Sequence, residues 1–446
     1  MVAIHVAFNR TSVNMDVQDK GLQGEEFVNE LAYSSFLKFW CYPGPKDELG
    51  DKKEIADLLV LFKNTLLILS VKNYEFKGLY DRYFRRTLEK AASQIYGAER
   101  KLLESKHEVF IKHPDRELEP FSPAGYDAIH RIIVNLGESV QFYPSGSLTK
   151  AGKFVHILDK EAFKVIIEEL DTIPDLVKYL QERERIFAGK DVLMLPGEEN
   201  AFDSNTGKQF FAYTTKNRIP SEKTSILISG TEYDLLAKYL ENDKKFPDFF
   251  SSSEYNRGWF DLDGAWDFYQ KREEVVLKRK HDRYSYFVDE FVRREILVDV
   301  NEFRLNVAKE LLSLTRFERR IIGQGFFGLF EENKHKGGWY MARRHGKVAD
   351  LLVSFIIYGS DMKPEAVDAF LEVALSGYSL FEGYQTSKSL LIAANNQLTQ
   401  FKFGFMQDIE PASKEEQTHL RNDLDKLKWF INPQMVNYSL KEYPDN

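Results

Sequence analysis

ADLLVLFKNTLLILSVKNYEF, residues 56–76, decides how this chain is read. Two short, almost wholly apolar runs flank the polar pair Lys63-Asn64, the pattern of two buried strands joined by a tight turn. Asp57 opens the first run, and Ser70 and Lys72 close the second. A two-residue loop at Lys63-Asn64 sets Asp57 directly opposite Ser70. Side chains alternate between the faces of a strand, so Lys72 shares the face of Ser70 and Asp57. A four-residue loop on the same centre keeps this register, whereas a three-residue loop destroys it. Three polar groups thus converge at one end of a greasy hairpin.

Two readings of that convergence stand. Asp57 and Lys72 form an ion pair where the strands emerge into water, or the end of the hairpin is a phosphodiesterase site. In the second reading a carboxylate holds a hard divalent cation by oxygen. The cation polarises a phosphate and supplies hydroxide, while the lysine orients the attacking water or offsets developing charge.

An acid followed on the next strand by acid-x-lysine is the pattern of the PD-(D/E)XK restriction-endonuclease-like superfamily, which this chain resembles in Asp57 and Ser70-Val71-Lys72. KGLQGEEFVNEL, 20–31, resembles the first core helix of that superfamily and of its nuclease-related-domain relatives, where a Gly-Glu pair supplies a metal-site glutamate. Glu25 occupies that position, with Glu26 adjacent. It precedes Val28 by three residues and Ala32 by seven, which turns it toward the sheet side. KAASQIYGAERKL, 90–102, is similar to the Gln-bearing helix of these nucleases and brings Gln94 beside the site. FVHILDKEAFKVIIEELDTIPDLVKYLQERE resembles the end of a bacterial subgroup of these domains.

The resemblance implies a catalytic set of Asp57, Lys72, Glu25, Ser70 and Gln94. The metal, Mg²⁺ or Mn²⁺, would be held by Asp57, Glu25 and the Val71 carbonyl. Ser70 departs from the pattern, because a hydroxyl is a poor magnesium ligand beside a carboxylate. Either the site has migrated and Ser70 holds a ligand water, or catalysis is lost and the domain only binds, or a serine was introduced to silence it. A serine hydrolase with a lysine base is not supported, since no nucleophile elbow or oxyanion glycine is near.

With 446 residues and 43% hydrophobic content, the chain is long enough for two or three domains with sizeable cores. The expected fold class is α/β. Residues 15–187 form an N-terminal restriction-endonuclease-like αβββαβ core, 188–225 an irregular linker, and 226–446 a larger, mainly helical α+β region for recognition or partner binding. Helical periodicity runs over 24–40, 80–105, 160–170, 172–186 and 283–333, the last broken near 298–301. Strands are expected at 129–137, 153–159, 348–359 and 389–396, with a helix at 363–376.

The single cysteine, Cys41, excludes an internal disulfide and a thiolate zinc cluster. No signal-peptide pattern opens the chain and no apolar run approaches a membrane span, so the expectation is a soluble cytoplasmic protein without a membrane partner. GEENAFDSNTGKQF, 197–210, lacks P-loop spacing. Net charge is -8, yet Lys271–Lys347 carries 18 Lys/Arg against 12 Asp/Glu. There Arg316, Arg319, Arg320, Arg343 and Arg344 are either solvated helix charges or phosphate contacts.

The function these readings imply is a metal-dependent endonuclease acting on nucleic acid, DNA ahead of RNA, in defence against foreign DNA or in DNA processing. The alternative is an inactive nuclease-fold protein that binds nucleic acid or acts as a scaffold. A homodimer or a protein partner engaged through the C-terminal region is the remaining partner expectation.

Overall fold

The computed structural model describes residues 20–36, 38–74, 82–83, 85–137, 141–143, 153–195, 224–250, 257–377, 387–407, 413–429 and 440–444. The chain packs as two compact units. The first comprises residues up to Asp171 together with Leu176–Trp266, and the second Thr172–Asp175 with Asp267–Asn446.

In chain order the first unit carries α1 (Lys20–Phe36), β1 (Cys41–Pro43), β2 (Leu58–Phe62), β3 (Thr65–Lys72), α2 (Lys90–Leu103), β4 (Val109–Lys112), β5 (Leu118–Phe121), β6 (Ala128–Asn135), β7 (Gln141–Tyr143), β8 (His156–Asp159) and α3 (Lys160–Glu169). It continues with most of α4 (Ile173–Phe187), then β9 (Lys190–Leu195), β10 (Thr224–Ser229), α5 (Glu232–Glu241) and β11 (Arg257–Asp261).

Its main sheet has the order β1-β2-β3-β6-β8. β1, β2 and β3 pair antiparallel, and β3, β6 and β8 run parallel. The turn is the two-residue one: Phe62 pairs with Thr65 and Leu58 with Leu69, the register that sets Asp57 opposite Ser70. Lys63 takes φ of +51°, the left-handed corner that lets a short loop follow the twist of its strands. The amides of Asp127 and Ala128 donate to the Asn64 carbonyl at 3.2 and 3.1 Å, which ties the turn to the start of β6.

Every residue of β2 is buried, as is every residue of β3 before Lys72, which explains runs without polar alternation. α2 lays Ala91, Ala92, Ile95, Ala98 and Leu102 inward at helical spacing, and α3 starts on Asp159, whose carboxylate accepts from the Ala162 amide at 2.7 Å.

A second sheet, β11-β10-β9-β7, also belongs to the first unit. β9, β10 and β11 run parallel. The compact unit therefore continues to Trp266, whereas composition alone marks a linker at 188–225; of that stretch, 196–223 lies outside the described residues. Backbone pairing across a long connection, invisible to composition, makes the difference.

The second unit contains α6 (Ala265–Lys271, from its third residue onward), α7 (Glu273–Asp282), α8 (Tyr286–Phe291), α9 (Glu302–Leu312), α10 (Arg316–Asn333), β12 (Met341–Val348), β13 (Leu351–Tyr358), α11 (Pro364–Gly377), β14 (Lys388–Asn395), β15 (Phe401–Gln407) and α12 (Lys414–Lys426). The break expected near 298–301 falls between a π turn ending at Ile296 and α9, which Asn301 caps by accepting from the Arg304 amide. The sheet order is β12-β13-β14-β15, with β13 and β14 parallel. On one face Ile356, Leu391 and Ala393 pack with Val367, Leu371, Leu424 and Trp429, which belong to α11, α12 and the segment that follows. Phe326 of α10 meets Phe355 edge-on. Both units are thus mixed α/β. Among the described residues, no helix is long and apolar enough to cross a membrane.

Candidate active site at the open end of the β2–β3 hairpin

The hairpin delivers its polar residues to one oxygen. Ser70 Oγ donates to Asp57 Oδ2 at 3.0 Å, and the Val71 amide donates to the same oxygen at 2.5 Å. Lys72 Nζ lies 3.6 Å from Asp57 Oδ2 and donates to the Val71 carbonyl at 3.0 Å. Ser70 is buried, while Asp57 and Lys72 are half-buried, so the cluster sits at the boundary between sheet core and water.

The segment before β2 closes onto this cluster. The Gly44 amide donates to the Asp57 carbonyl at 2.9 Å, the Ile55 amide to the Pro45 carbonyl at 2.7 Å, and Lys46 bridges Glu54 in antiparallel fashion. Glu54 thereby comes beside Asp57. Partial desolvation, then the charge of the Asp57 carboxylate and a hydrogen bond to it, push the Glu54 carboxyl up; Lys46 and Lys72 pull the other way. Glu54 is a second acid at the site that sequence spacing missed. It lies on the loop before β2, and the only signal for it was its place three residues ahead of Asp57.

Glu25 lies in α1, but its side chain is outside the described residues. Its neighbour Gly24 approaches β3 closely: a Cβ there would stand 3.5 Å from Val71 Cγ1 and 2.5 Å from Leu136 Cδ1. The backbone next to Glu25 therefore runs past the end of β3. Glu26 is exposed. Gln94 is on α2 and exposed, on the outer side of a helix that turns Ala91, Ala92 and Ile95 inward. The rim beyond Lys72 carries Asn135, its ladder partner on β6, whose amide donates to the Tyr83 hydroxyl. Arg86, exposed, donates to the Tyr74 hydroxyl at 2.7 Å.

The arginines of the second unit correct the sequence reading. Arg316, Arg319 and Arg320 are buried. Arg316 donates to Asp289 Oδ2 at 2.5 Å, and Arg319 to Asp289 Oδ1 and to the carbonyls of Leu314 and Leu312 at 2.9 and 2.7 Å. Arg320 reaches Asp282 at 3.2 Å and the Lys441 carbonyl at 2.7 Å. These three are interior ion pairs, not phosphate contacts, because acids some thirty residues earlier in the chain fold onto them. Arg344 pairs with Glu332 at 2.7 Å and donates to the Gly325 carbonyl. Arg343 stacks 4.1 Å from the Trp429 ring centroid and donates weakly to the Lys428 carbonyl. None of the five forms an open basic stripe.

Comparison with models of known protein families, with curated proteins and with solved structures returned no match.

Proposed function

We propose that this chain is a divalent-metal-dependent nuclease that hydrolyses phosphodiester bonds, with DNA as the substrate class. The observation that carries the reading is the convergence of the Ser70 hydroxyl, the Val71 amide and the Lys72 ammonium on Asp57, with Glu54 beside it. The element order supports it. A helix, three antiparallel strands, a helix and a strand parallel to the third are what a PD-(D/E)XK core requires.

The residues present fit a hard cation. Asp57 and Glu54 offer carboxylate oxygens and Val71 a carbonyl, an all-oxygen set of the kind that Mg²⁺ or Mn²⁺ takes, and Glu25 is a further candidate. The neighbouring Asp57 charge that raises Glu54 is the repulsion such a cation relieves. When bound, the metal supplies Lewis acidity to the phosphate and a hydroxide nucleophile at neutral pH. Lys72 positions the attacking water and meets charge developing on the phosphate oxygens. Ser70 holds Asp57 in orientation, and in this reading Glu54 takes the part that an acid at position 70 would play. The biological setting we assign is defence against foreign DNA or DNA processing.

A second reading draws on the same geometry. Two donors and the Lys72 charge already satisfy Asp57 Oδ2 without a metal, which favours a nuclease fold retained for binding. Incubating the full chain with plasmid, single-stranded DNA and RNA, with and without Mg²⁺ or Mn²⁺, separates the two. Metal-dependent cutting that Asp57→Ala abolishes is expected. No cutting of any substrate, or cutting indifferent to Asp57→Ala, removes the nuclease assignment.

A further inference from the structure

A second cluster of ligating groups lies on the main sheet of the first unit, at the opposite end of β6 from Asn135, and the proposed nuclease chemistry makes no use of it. His130 on β6, His156 on β8 and Glu184 on α4 each present one ligand atom, all within 4.8 Å of one another. The strand register explains the meeting. His156 pairs with Ile132, so His156, Ile132 and His130 point to the same face. The two rings lie 5.8 Å apart, and Glu184 Oε2 is 4.0 Å from His130 Nδ1.

Both imidazoles are sealed from water, His130 at 3% and His156 at 1% exposure. Among the described residues, neither nitrogen of His130 has a hydrogen-bond partner, nor does Nε2 of His156. Buried polar atoms left unsatisfied in this way cost free energy. One nitrogen from each ring and one carboxylate oxygen gather in a single small region, which calls for a ligand. The nearby cations do not fill that role, because each is matched to its own acid. Arg131 donates to Glu99 at 2.5 and 2.7 Å, and Arg183 to Glu232 at 2.6 and 3.0 Å. What remains is two imidazoles and one carboxylate on which Arg131, held by Glu99, acts only through its charge.

We infer that His130, His156 and Glu184 form a binding site for a borderline-soft divalent transition metal of the Zn²⁺ class, separate from the hard-cation site at Asp57. Two imidazoles with one carboxylate match such metals rather than Mg²⁺. Ligands about 2.0–2.2 Å from a tetrahedral ion stand roughly 3.4 Å apart, so atoms now within 4.8 Å of one another must close by at most about 1.4 Å. The Glu184 carboxylate, at the partly exposed end of the cluster, is free to move inward, and that end leaves the fourth position to water. Arg183 Nη1 is 3.0 Å from His156 Nδ1 and can only donate, so in the metal-free protein the His156 proton resides on Nε2. Binding through Nε2 releases that proton to solvent, and the guanidinium then faces a metal-bound imidazolate. The metal would cross-link β6, β8 and α4.

The test is a Co²⁺ titration of the untagged full-length protein in excess Mg²⁺, followed by visible absorption, with Zn²⁺ content measured after dialysis. One equivalent with intense four-coordinate d–d bands is expected, displaced by Zn²⁺ and kept by Asp57→Ala. Glu184→Gln should weaken binding at least about 10-fold, as should His130→Asn. Glu184→Gln alters a partly exposed tip and preserves the fold, so its result stands even where His130→Asn misfolds. Zn²⁺ should raise the thermal midpoint of wild type but not of Glu184→Gln. Absence of a saturable equivalent overturns the site, as does loss of the bands in Asp57→Ala or binding unchanged by Glu184→Gln.

Discussion

Ser70 Oγ donates to Asp57 Oδ2 at 3.0 Å, so the residue that departs from acid-x-lysine is bonded to the acid it would otherwise have joined. Together with the Val71 amide it fixes the orientation of Asp57 and leaves the approach from Glu54 and Lys72 to complete the site.

Lys72 is the most direct probe. Its side chain is half-buried at the strand end, so Lys72→Ala leaves the hairpin core intact. Removing a group that stabilises the transition state should lower kcat by about 10²–10³. Plasmid nicking at saturating Mg²⁺ reads this out, and wild-type rates in the variant would refute the assignment of Lys72.

Ser70→Asp puts a carboxylate where a hydroxyl now meets Asp57. Without a cation the two charges repel, so the thermal midpoint in EDTA should fall below wild type, and Mg²⁺ should restore more of it than in wild type. A variant whose midpoint ignores Mg²⁺ would mean that no cation sits between these positions. Glu54→Gln is the complement: the Mg²⁺ concentration for half-maximal cutting should rise about 10-fold or more, one ligand carboxylate having been lost.

Arg319→Met should damage stability and leave nucleic-acid affinity alone. Arg319 is 2% exposed and serves Asp289 and two backbone carbonyls, so its loss leaves Asp289 to Arg316 alone and strands two buried acceptors. Leaving a buried acceptor unsatisfied costs about 1–3 kcal/mol. Urea unfolding followed by circular dichroism should show that loss, and the salt dependence of DNA binding should keep its slope. A flattened slope in a stable variant would restore Arg319 as a phosphate contact.

His345 makes the second unit sensitive to acid. Burial, then the neighbouring Arg343, push its pKa down to about 3 from 6.5. The unfolded chain therefore binds a proton that the folded chain refuses. The stability contributed by the neutral ring is fully present above pH 6.5 and is lost as pH falls toward 3, at up to about 1.4 kcal/mol per pH unit. Hydrogen-exchange protection of β12 and β13 should drop between pH 7 and 5 by more in wild type than in His345→Phe. Equal drops would exclude His345 as the cause.

The hairpin and its polar end were legible in the sequence because everything that sets them is local. Two apolar runs, a two-residue corner and the alternation of side chains suffice to oppose Asp57 and Ser70 and to align Lys72. The helices at 160–169 and 173–187 were legible for the same reason, their periodicity and their starts being written in adjacent residues. The short strands β1, β4, β5 and β7 were not, since three or four residues carry too little pattern to stand out.

Sequence by itself therefore determined the identity and register of Asp57, Ser70 and Lys72. Tertiary structure alone decided the rest. Whether Arg316 and Arg319 face water or Asp289, whether Glu54 reaches Asp57, and whether His130, His156 and Glu184 meet depend on contacts between segments distant in the chain or joined by an irregular loop. A charge reads the same in a sequence whether solvated or buried. Only the packing that removes water from around it, and brings an opposite charge to it, distinguishes a binding surface from a core.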